Sequence, residues 1–145
     1  MGDISKDIQS TFPNQKVKAF LNIIYTANWI SSQQNAFFKP FGISPQQFNI
    51  LRILRGAEGS LKVQTIKERM LERAPNATRL MDKLCAKDYI ERIACPDDRR
   101  VVHINITNKG LKLLEDIGKQ MKIDYLENLS DQEAKQLSDL LDKIR

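Results

Sequence analysis

Residues that build disulfide, metal and catalytic sites are scarce in this 145-residue sequence. It contains two cysteines, Cys85 and Cys95, in no CxxC pair, and a single histidine, His103. This scarcity argues against a disulfide framework and a structural zinc site, and two isolated cysteines are typical of a reducing compartment. The sequence also lacks a nucleophile elbow, a phosphate-binding P-loop and a glycine-rich dinucleotide turn. We therefore expect a protein that is not an enzyme and that has no metal and no cofactor.

Long apolar runs are missing as well. Polar or charged residues interrupt every apolar stretch well before it reaches the length of a transmembrane helix. The N-terminal residues lack the apolar segment of a signal peptide. With 41% hydrophobic and 28% charged residues, the composition is that of an ordinary globular domain. We predict a single domain over residues 1–145 that stays in the cytoplasm and contacts no membrane.

Acidic residues are outnumbered, and the imbalance is concentrated in one region. The chain has 23 lysines and arginines against 18 acidic residues, a formal net charge of +5. Residues 62–100 alone hold ten basic and seven acidic residues and so contribute +3 of this charge. Concentrated basic charge favours a polyanionic partner. On charge alone, a solvated surface that only confers solubility remains an equally good interpretation.

The basic region has the pattern of a helix-turn-helix followed by a β-hairpin. Val63, Ile66 and Met70 recur at helical spacing, and Pro75 is expected to open a second helix. The segment around His103 alternates as a strand. The predicted elements are a helix at 62–70, a turn at 71–74, a helix from 75, strands at 89–94 and 101–106, and a charged turn at 95–100. A hairpin beside a helix-turn-helix is called a wing, and the combination typically binds DNA.

The second helix carries polar residues suited to DNA. A recognition helix presents its N-terminal residues to base edges in the major groove. Asn76, Thr78 and Arg79 have the donors and acceptors that this task needs. We expect further basic residues to contact phosphates, namely Arg73, Lys83 and Lys87.

The charged turn of the wing carries Arg99 and Arg100. The negative potential of a minor groove attracts guanidinium groups, so these arginines are candidates to enter it. Asp98 is expected to orient Arg100 through a charge-assisted hydrogen bond.

Long amphipathic helices flank this unit. The helix predicted at 14–38 has an apolar stripe wider than one neighbour needs, which favours a dimer interface, although burial within its own domain remains an alternative. Ser44, Thr107 and Ser130 are predicted helix caps. We assign residues 43–107 to a winged helix-turn-helix lobe and residues 1–38 and 108–145 to dimerisation helices. The detailed prediction is a loose arm at 1–13, a break at 39–42, a helix at 45–56 after the cap Ser44, a helix at 108–127 and a last helix after the cap Ser130.

Two motifs resemble the MarR family of bacterial transcription regulators. Asp98, Arg100 and the pair Ile106-Thr107 are similar to the family's wing pattern of Asp-x-Arg, five residues and Leu-Thr. Residues 76–84 resemble the family's recognition helix, and the order of elements agrees from about residue 14 to 145. The resemblance implies a mainly α fold with a small β-wing. It also implies a homodimer that binds palindromic operators with two winged helices, with Arg100 in the minor groove and Asp98 supporting it.

The resemblance further implies an effector pocket for small phenolic or aromatic acids between the dimerisation helices and the lobe. We place this pocket near Phe20, Trp29 and Phe48, although such aromatic residues more often form core. The chain departs from the family pattern at Asp88, where a glycine is usual, and Asp tolerates the left-handed conformation that such a turn needs. It also departs at Asn76, which replaces a threonine and changes the expected base preference.

The function expected from these features is a sequence-specific DNA-binding regulator, most often a repressor. The alternative is a winged-helix adaptor that binds protein or RNA without specific DNA binding. Arg79 and Arg100 together favour the regulator, because an adaptor does not need both. Cys85 is interpreted as a core residue, and a redox role remains open for Cys95. His103 is interpreted as a surface residue, with a ligand or pH role as the alternative.

Overall fold

The computed structural model describes residues 2–95 and 97–145. Met1, in the predicted N-terminal arm, and Pro96, in the predicted charged turn, lie outside the described residues. The elements in chain order are α1 (Ile4–Asp7), α2 (Gln15–Phe38), a 3-10 turn (Lys39–Phe41), α3 (Pro45–Gly56), β1 (Leu61–Lys62), α4 (Val63–Arg69), α5 (Ala77–Ala86), β2 (Ile90–Ala94), β3 (Val102–Ile106), α6 (Asn108–Gln120) and α7 (Asp131–Ile144). The predicted fold class, mainly α with a small β-wing, is confirmed.

The core lies where α3, α4, α5, α6 and the sheet meet. Ile50, Ile66, Leu84 and Ile104 are completely buried there, one from each of four elements. Burial of such a side chain stabilises a fold by about 1.5–3 kcal/mol. The apolar spacing of each element therefore fixes which face it turns inward, and the polar faces of α5 and of the hairpin remain outside.

The three strands form one antiparallel sheet in the order β1-β3-β2. Ile104 at the centre of β3 pairs with Leu61 of β1 on one side and with Arg92 of β2 on the other. Strand β1 is only two residues long and lies at the edge of the sheet. The inner end of the β2–β3 hairpin, at Ile90, is buried, and the outer end, at Ala94 and Val102, is exposed.

Local capping signals in the sequence are confirmed. Ser44 and Gln47 form a reciprocal capping box at α3, with Pro45 in the first turn. Thr107 accepts a hydrogen bond from the N–H of Gly110, and Ser130 forms a capping box with Glu133. Gly42 adopts a left-handed φ of 71° after the 3-10 turn, as the predicted break requires.

The predicted loose arm at residues 1–13 is wrong at its start. Residues 4–7 form the helical turn α1, and Ile4 is buried. The Asp3 carboxylate accepts a hydrogen bond from the N–H of Ser5 and pairs with Lys18 of α2 at 3.4 Å. The cap stabilises α1, and the ion pair joins α1 to α2. The polar composition of the segment did not predict either contact.

Two predicted helix boundaries are also wrong. Pro75 does not open α5, because it lies in a turn closed by the hydrogen bond from the N–H of Ala77 to the carbonyl of Ala74 (3.0 Å). The fixed φ of proline suits the second position of such a turn. Helix α6 ends at Gln120 and not near residue 127. In the segment that follows α6, the Asp124 carboxylate accepts a hydrogen bond from the N–H of Leu126 (2.9 Å). Such a local bond competes with the backbone bonds that would continue the helix.

The outer helices leave much apolar surface exposed. Phe20 of α2 is 60% exposed, and Ile144 of α7 is 68% exposed. Across its described residues, α7 contains no buried side chain. No helix in the described ranges is both long and apolar enough to cross a membrane.

Candidate nucleic-acid interface

Helix α5 has one buried face and one exposed face. Ala77, Met81 and Leu84 are buried in the core at the spacing of a single helix face. The opposite side is exposed to solvent, and we call it the reading face. It consists of Thr78, Arg79, Asp82 and Lys83.

Asn76 lies at the N-terminal end of the reading face. It is the N-cap residue of α5, yet its side chain forms no capping hydrogen bond within the described structure. The residue is exposed, so its amide group is available to a partner. The residues that the sequence assigned to base contacts thus lie together on one accessible surface.

The end of α5 is fixed by a Schellman motif. The N–H of Tyr89 donates to the carbonyl of Leu84 and the N–H of Asp88 donates to that of Cys85, both at 3.0 Å. Asp88 has a left-handed φ of 61°, which confirms the conformation expected at this departure from the family pattern. The Thr107 hydroxyl donates to the Asp88 carbonyl at 2.5 Å. The end of α5 is thereby joined to the start of α6.

The wing turn is closed by backbone bonds and by Asp98. The N–H of Val101 donates to the Asp98 carbonyl, and the N–H of Cys95 donates to the Val101 carbonyl, both at 3.1 Å. The Asp98 carboxylate accepts from the backbone N–H of Arg100 at 2.9 Å. Asp98 therefore fixes the backbone of Arg100 and leaves its guanidinium group free of that carboxylate. Both Arg99 and Arg100 are exposed.

The residues predicted to contact phosphates differ in their surroundings. Arg73 and Lys83 are exposed. The Lys87 ammonium group donates to the carbonyl of Gly42, at the end of the 3-10 turn. Lys87 thus connects the end of α5 to the segment before α3, and a phosphate contact from it would compete with this bond.

An ion pair that was not predicted from the sequence joins α5 to the wing. The Arg92 guanidinium of β2 donates to the Asp82 carboxylate on the reading face, and this hydrogen bond raises the pKa of Arg92. The sequence offered one signal, an acidic residue three positions after Arg79 in an otherwise basic face. Nothing in it indicated which residue would be the partner.

Comparison with known proteins places this arrangement in a family. A model described as the MarR family matches residues 43–102. The HTH-type transcriptional repressor MdtR of Bacillus subtilis is 36% identical over 107 residues, which cover 71% of this chain and 68% of MdtR. This chain belongs to the MarR family. The HTH-type transcriptional regulator MhqR of the same organism is 29% identical over 133 residues, covering 90% of this chain and 91% of MhqR.

The likeness to solved MarR structures extends to the flanking helices. The crystal structure of a mutant Escherichia coli MarR protein complexed with operator DNA superimposes with a TM-score of 0.76 at 23% identity. The superposition covers 92% of this chain and 99% of that one. At this identity the comparison shows the fold, and it shows it for the winged lobe and the outer helices together.

A cavity of about 330 Å³ lies between α2, α3 and the segment after α6 of this MarR-family chain. Its walls are largely apolar, with Arg52 as the basic residue among those that line it. Of the residues predicted for an effector pocket, Phe48 lines the cavity, and Phe20 and Trp29 do not. Trp29 lines a separate cleft beside α1 and packs edge-on against Tyr125, which does line the cavity. The apolar lining includes Phe37, Phe38, Phe48, Met121, Ile123 and Tyr125.

Cys85, Cys95 and His103 are half-buried, and none of them belongs to the exposed reading face. Cys85 is half-buried beside the core, and burial raises the pKa of its thiol, as a packing residue would show. His103 is half-buried and its Nδ1 lies 3.2 Å from the Ser60 hydroxyl. No group of three or more metal-ligating side chains occurs among the residues that the structure describes.

Proposed function

We propose that this MarR-family regulator binds a palindromic operator as a homodimer and represses transcription. The observation that carries the proposal is the joint exposure of Arg79 on the reading face of α5 and of Arg100 in the turn between β2 and β3. An exposed arginine on a recognition helix suits guanine in the major groove, and one on a wing suits the minor groove. The relative MdtR is named a transcriptional repressor.

The decisive experiment compares specific with non-specific DNA. Fluorescence anisotropy would be measured on DNA from upstream of the protein's own gene and on a scrambled duplex of equal length, across a salt series. We expect a preference for the upstream DNA of about a thousandfold or more. Equal and steeply salt-dependent binding would indicate only a basic surface. Absence of binding at low salt would favour the adaptor alternative.

A reporter assay tests repression. Expression of a reporter gene placed behind the same upstream DNA should rise when the gene for this protein is deleted, if the protein represses.

The homodimer proposal is supported by the exposed apolar faces of α2 and α7. Tyr25, Trp29 and Leu140 are among the large apolar side chains that face solvent in the isolated chain. Many large apolar side chains exposed on the same helices favour an association site in a soluble protein. A second copy of the chain would bury these faces and hold two reading faces at a fixed spacing, as a palindrome requires.

We predict that light scattering at micromolar protein gives about twice the chain mass of 16.7 kDa. Leu140→Glu places a charge on the proposed interface and should lower the measured mass toward that of one chain. Leu71→Glu is a matched control, because Leu71 is 93% exposed on the winged lobe. A wild-type mass near that of one chain would refute the dimer.

We also propose that a small aromatic acid binds in the cavity and releases DNA. The apolar walls suit an aromatic ring, and the guanidinium of Arg52 suits a carboxylate. Leu71 and Glu72, in the turn between α4 and α5, form part of the wall. Asn49 accepts from the N–H of Leu71 at 2.9 Å, and Gln46 donates to Glu72 at 3.0 Å. A ligand that displaces this turn would shift the segment that leads into the recognition helix.

The effector proposal predicts a specific effect of Arg52→Gln. Loss of a charged hydrogen bond costs about 1.5–3 kcal/mol, so the 2-hydroxybenzoate concentration needed for half-release of operator should rise about tenfold or more. Arg55→Gln is the control, because Arg55 is exposed on the same helix and is absent from the cavity lining. Equal responses of the two variants would remove Arg52 from the ligand site.

A further inference from the structure

The Asp82 carboxylate occupies an unexpected position for a DNA-binding surface. It follows Thr78 by four residues and Arg79 by three, so it shares their face of α5. Its side chain is 54% exposed. A carboxylate on such a face repels phosphates unless a cation neutralises it, or unless it accepts a hydrogen bond from a cytosine amino group.

The neutralising cation comes from the wing. Arg92 donates to Asp82, and its own position is fixed because it pairs across the sheet with the fully buried Ile104. Two residues later, Ala94 pairs with Val102 and the hairpin leaves the core. The ion pair therefore joins the reading face to the base of the wing.

A small rotation at the base of the hairpin produces a larger displacement of the wing tip, so this contact affects where the tip lies. Arg100 lies about four to five strand residues beyond the level of Arg92, roughly 15 Å at about 3.3 Å per residue. A rotation of the hairpin by about 10° at its base would move the tip by roughly 2–3 Å, enough to lose a groove contact. Exposed ion pairs contribute little to folding stability, so the contact should matter far more for DNA binding than for unfolding.

We propose that the Asp82–Arg92 pair is a positioning device that sets the wing relative to the recognition helix and keeps Asp82 from contacting a base. The proposal rests on the proposed function, in which Arg79 and Arg100 bind DNA simultaneously. Asp82 and Arg92 are positioning residues, because they act through Arg100 and do not themselves contact DNA.

The test uses Asp82→Asn/Arg92→Gln, which removes the ion pair and leaves the net charge unchanged. Operator affinity is measured with and without Arg100→Ala in both the wild-type and the double-variant background. We expect Arg100→Ala to weaken operator binding about tenfold or more in the wild type and less than about threefold in the double variant. A pair that only stabilises the fold would not change the effect of Arg100→Ala on operator binding. The melting temperature of the double variant should also stay close to that of the wild type. The reversed pair Asp82→Arg/Arg92→Asp should restore part of the Arg100 effect.

Two outcomes would overturn the inference alone. One is an Arg100→Ala effect of equal size in both backgrounds. The other is a change in base preference at one operator position in Asp82→Asn that is absent in Arg92→Gln, which would make Asp82 a base reader. A wild-type protein without preference for operator over scrambled DNA would instead overturn the proposed function, and this inference with it.

Discussion

Gly110→Ala is expected to destabilise the winged lobe by about 1–3 kcal/mol, the typical cost of over-packing a rigid site. Gly110 is buried in the first turn of α6. A Cβ atom there would lie 2.3 Å from the carbonyl oxygen of Tyr89 and 2.8 Å from Cγ1 of Ile106. The Tyr89 carbonyl cannot move away freely, because it accepts a hydrogen bond from the N–H of Thr107 at 3.1 Å. The helix and the wing strands would have to separate.

Gly118→Ala provides a matched control in the same helix. No described atom outside the local helix backbone lies within 4 Å of a Cβ at Gly118, so the substitution should stabilise the helix by about 0.5–1 kcal/mol. Thermal unfolding followed by circular dichroism would compare both variants with wild type. A melting temperature of Gly110→Ala equal to that of Gly118→Ala would show that α6 does not pack against Tyr89 as described. Loss of the packing should also weaken DNA binding, because Tyr89 lies in the turn that ends α5, the proposed recognition helix.

Arg79→Ala is expected to weaken operator binding by about 1–3 kcal/mol, roughly five- to 150-fold. Arg79 is exposed on the reading face and forms no ion pair with any residue in the described ranges. Its guanidinium group is therefore available for a bidentate contact with guanine, and alanine would leave that base edge unpaired. Because the proposed contact is to a base, discrimination between operator and scrambled DNA should fall along with the affinity.

Lys119→Ala controls for the loss of one positive charge. Lys119 lies on α6, away from the reading face, and pairs with Glu115 at 3.0 Å. This variant should bind operator within about twofold of wild type, since only long-range electrostatics changes and salt screens it. Anisotropy titrations of both variants on the same operator would measure the difference. Equal affinities for Arg79→Ala and Lys119→Ala would refute the assignment of α5 as the recognition helix.

The sequence by itself determined the order of the elements and most of their ends. Ser44, Thr107 and Ser130 cap their helices through bonds that span three residues, and such bonds depend on little beyond the local chain. The left-handed turn at Asp88 follows from the same kind of local chemistry. The apolar spacing of α5 determined in advance which of its side chains would be exposed.

Contacts between distant segments were decided only by the tertiary structure. Arg92 meets Asp82 because α5 packs on β2, and Ile4 is buried because α1 folds back on α2. The cavity arises because α6 stops early and the following segment covers α2 and α3. Asp98 bonds the backbone and not the guanidinium of Arg100, because the turn brings that N–H nearer. Apolar periodicity indicates which face of an element is buried, and capping residues indicate where a helix begins or ends. Which residues meet across long distances in the chain depends on how the whole lobe packs.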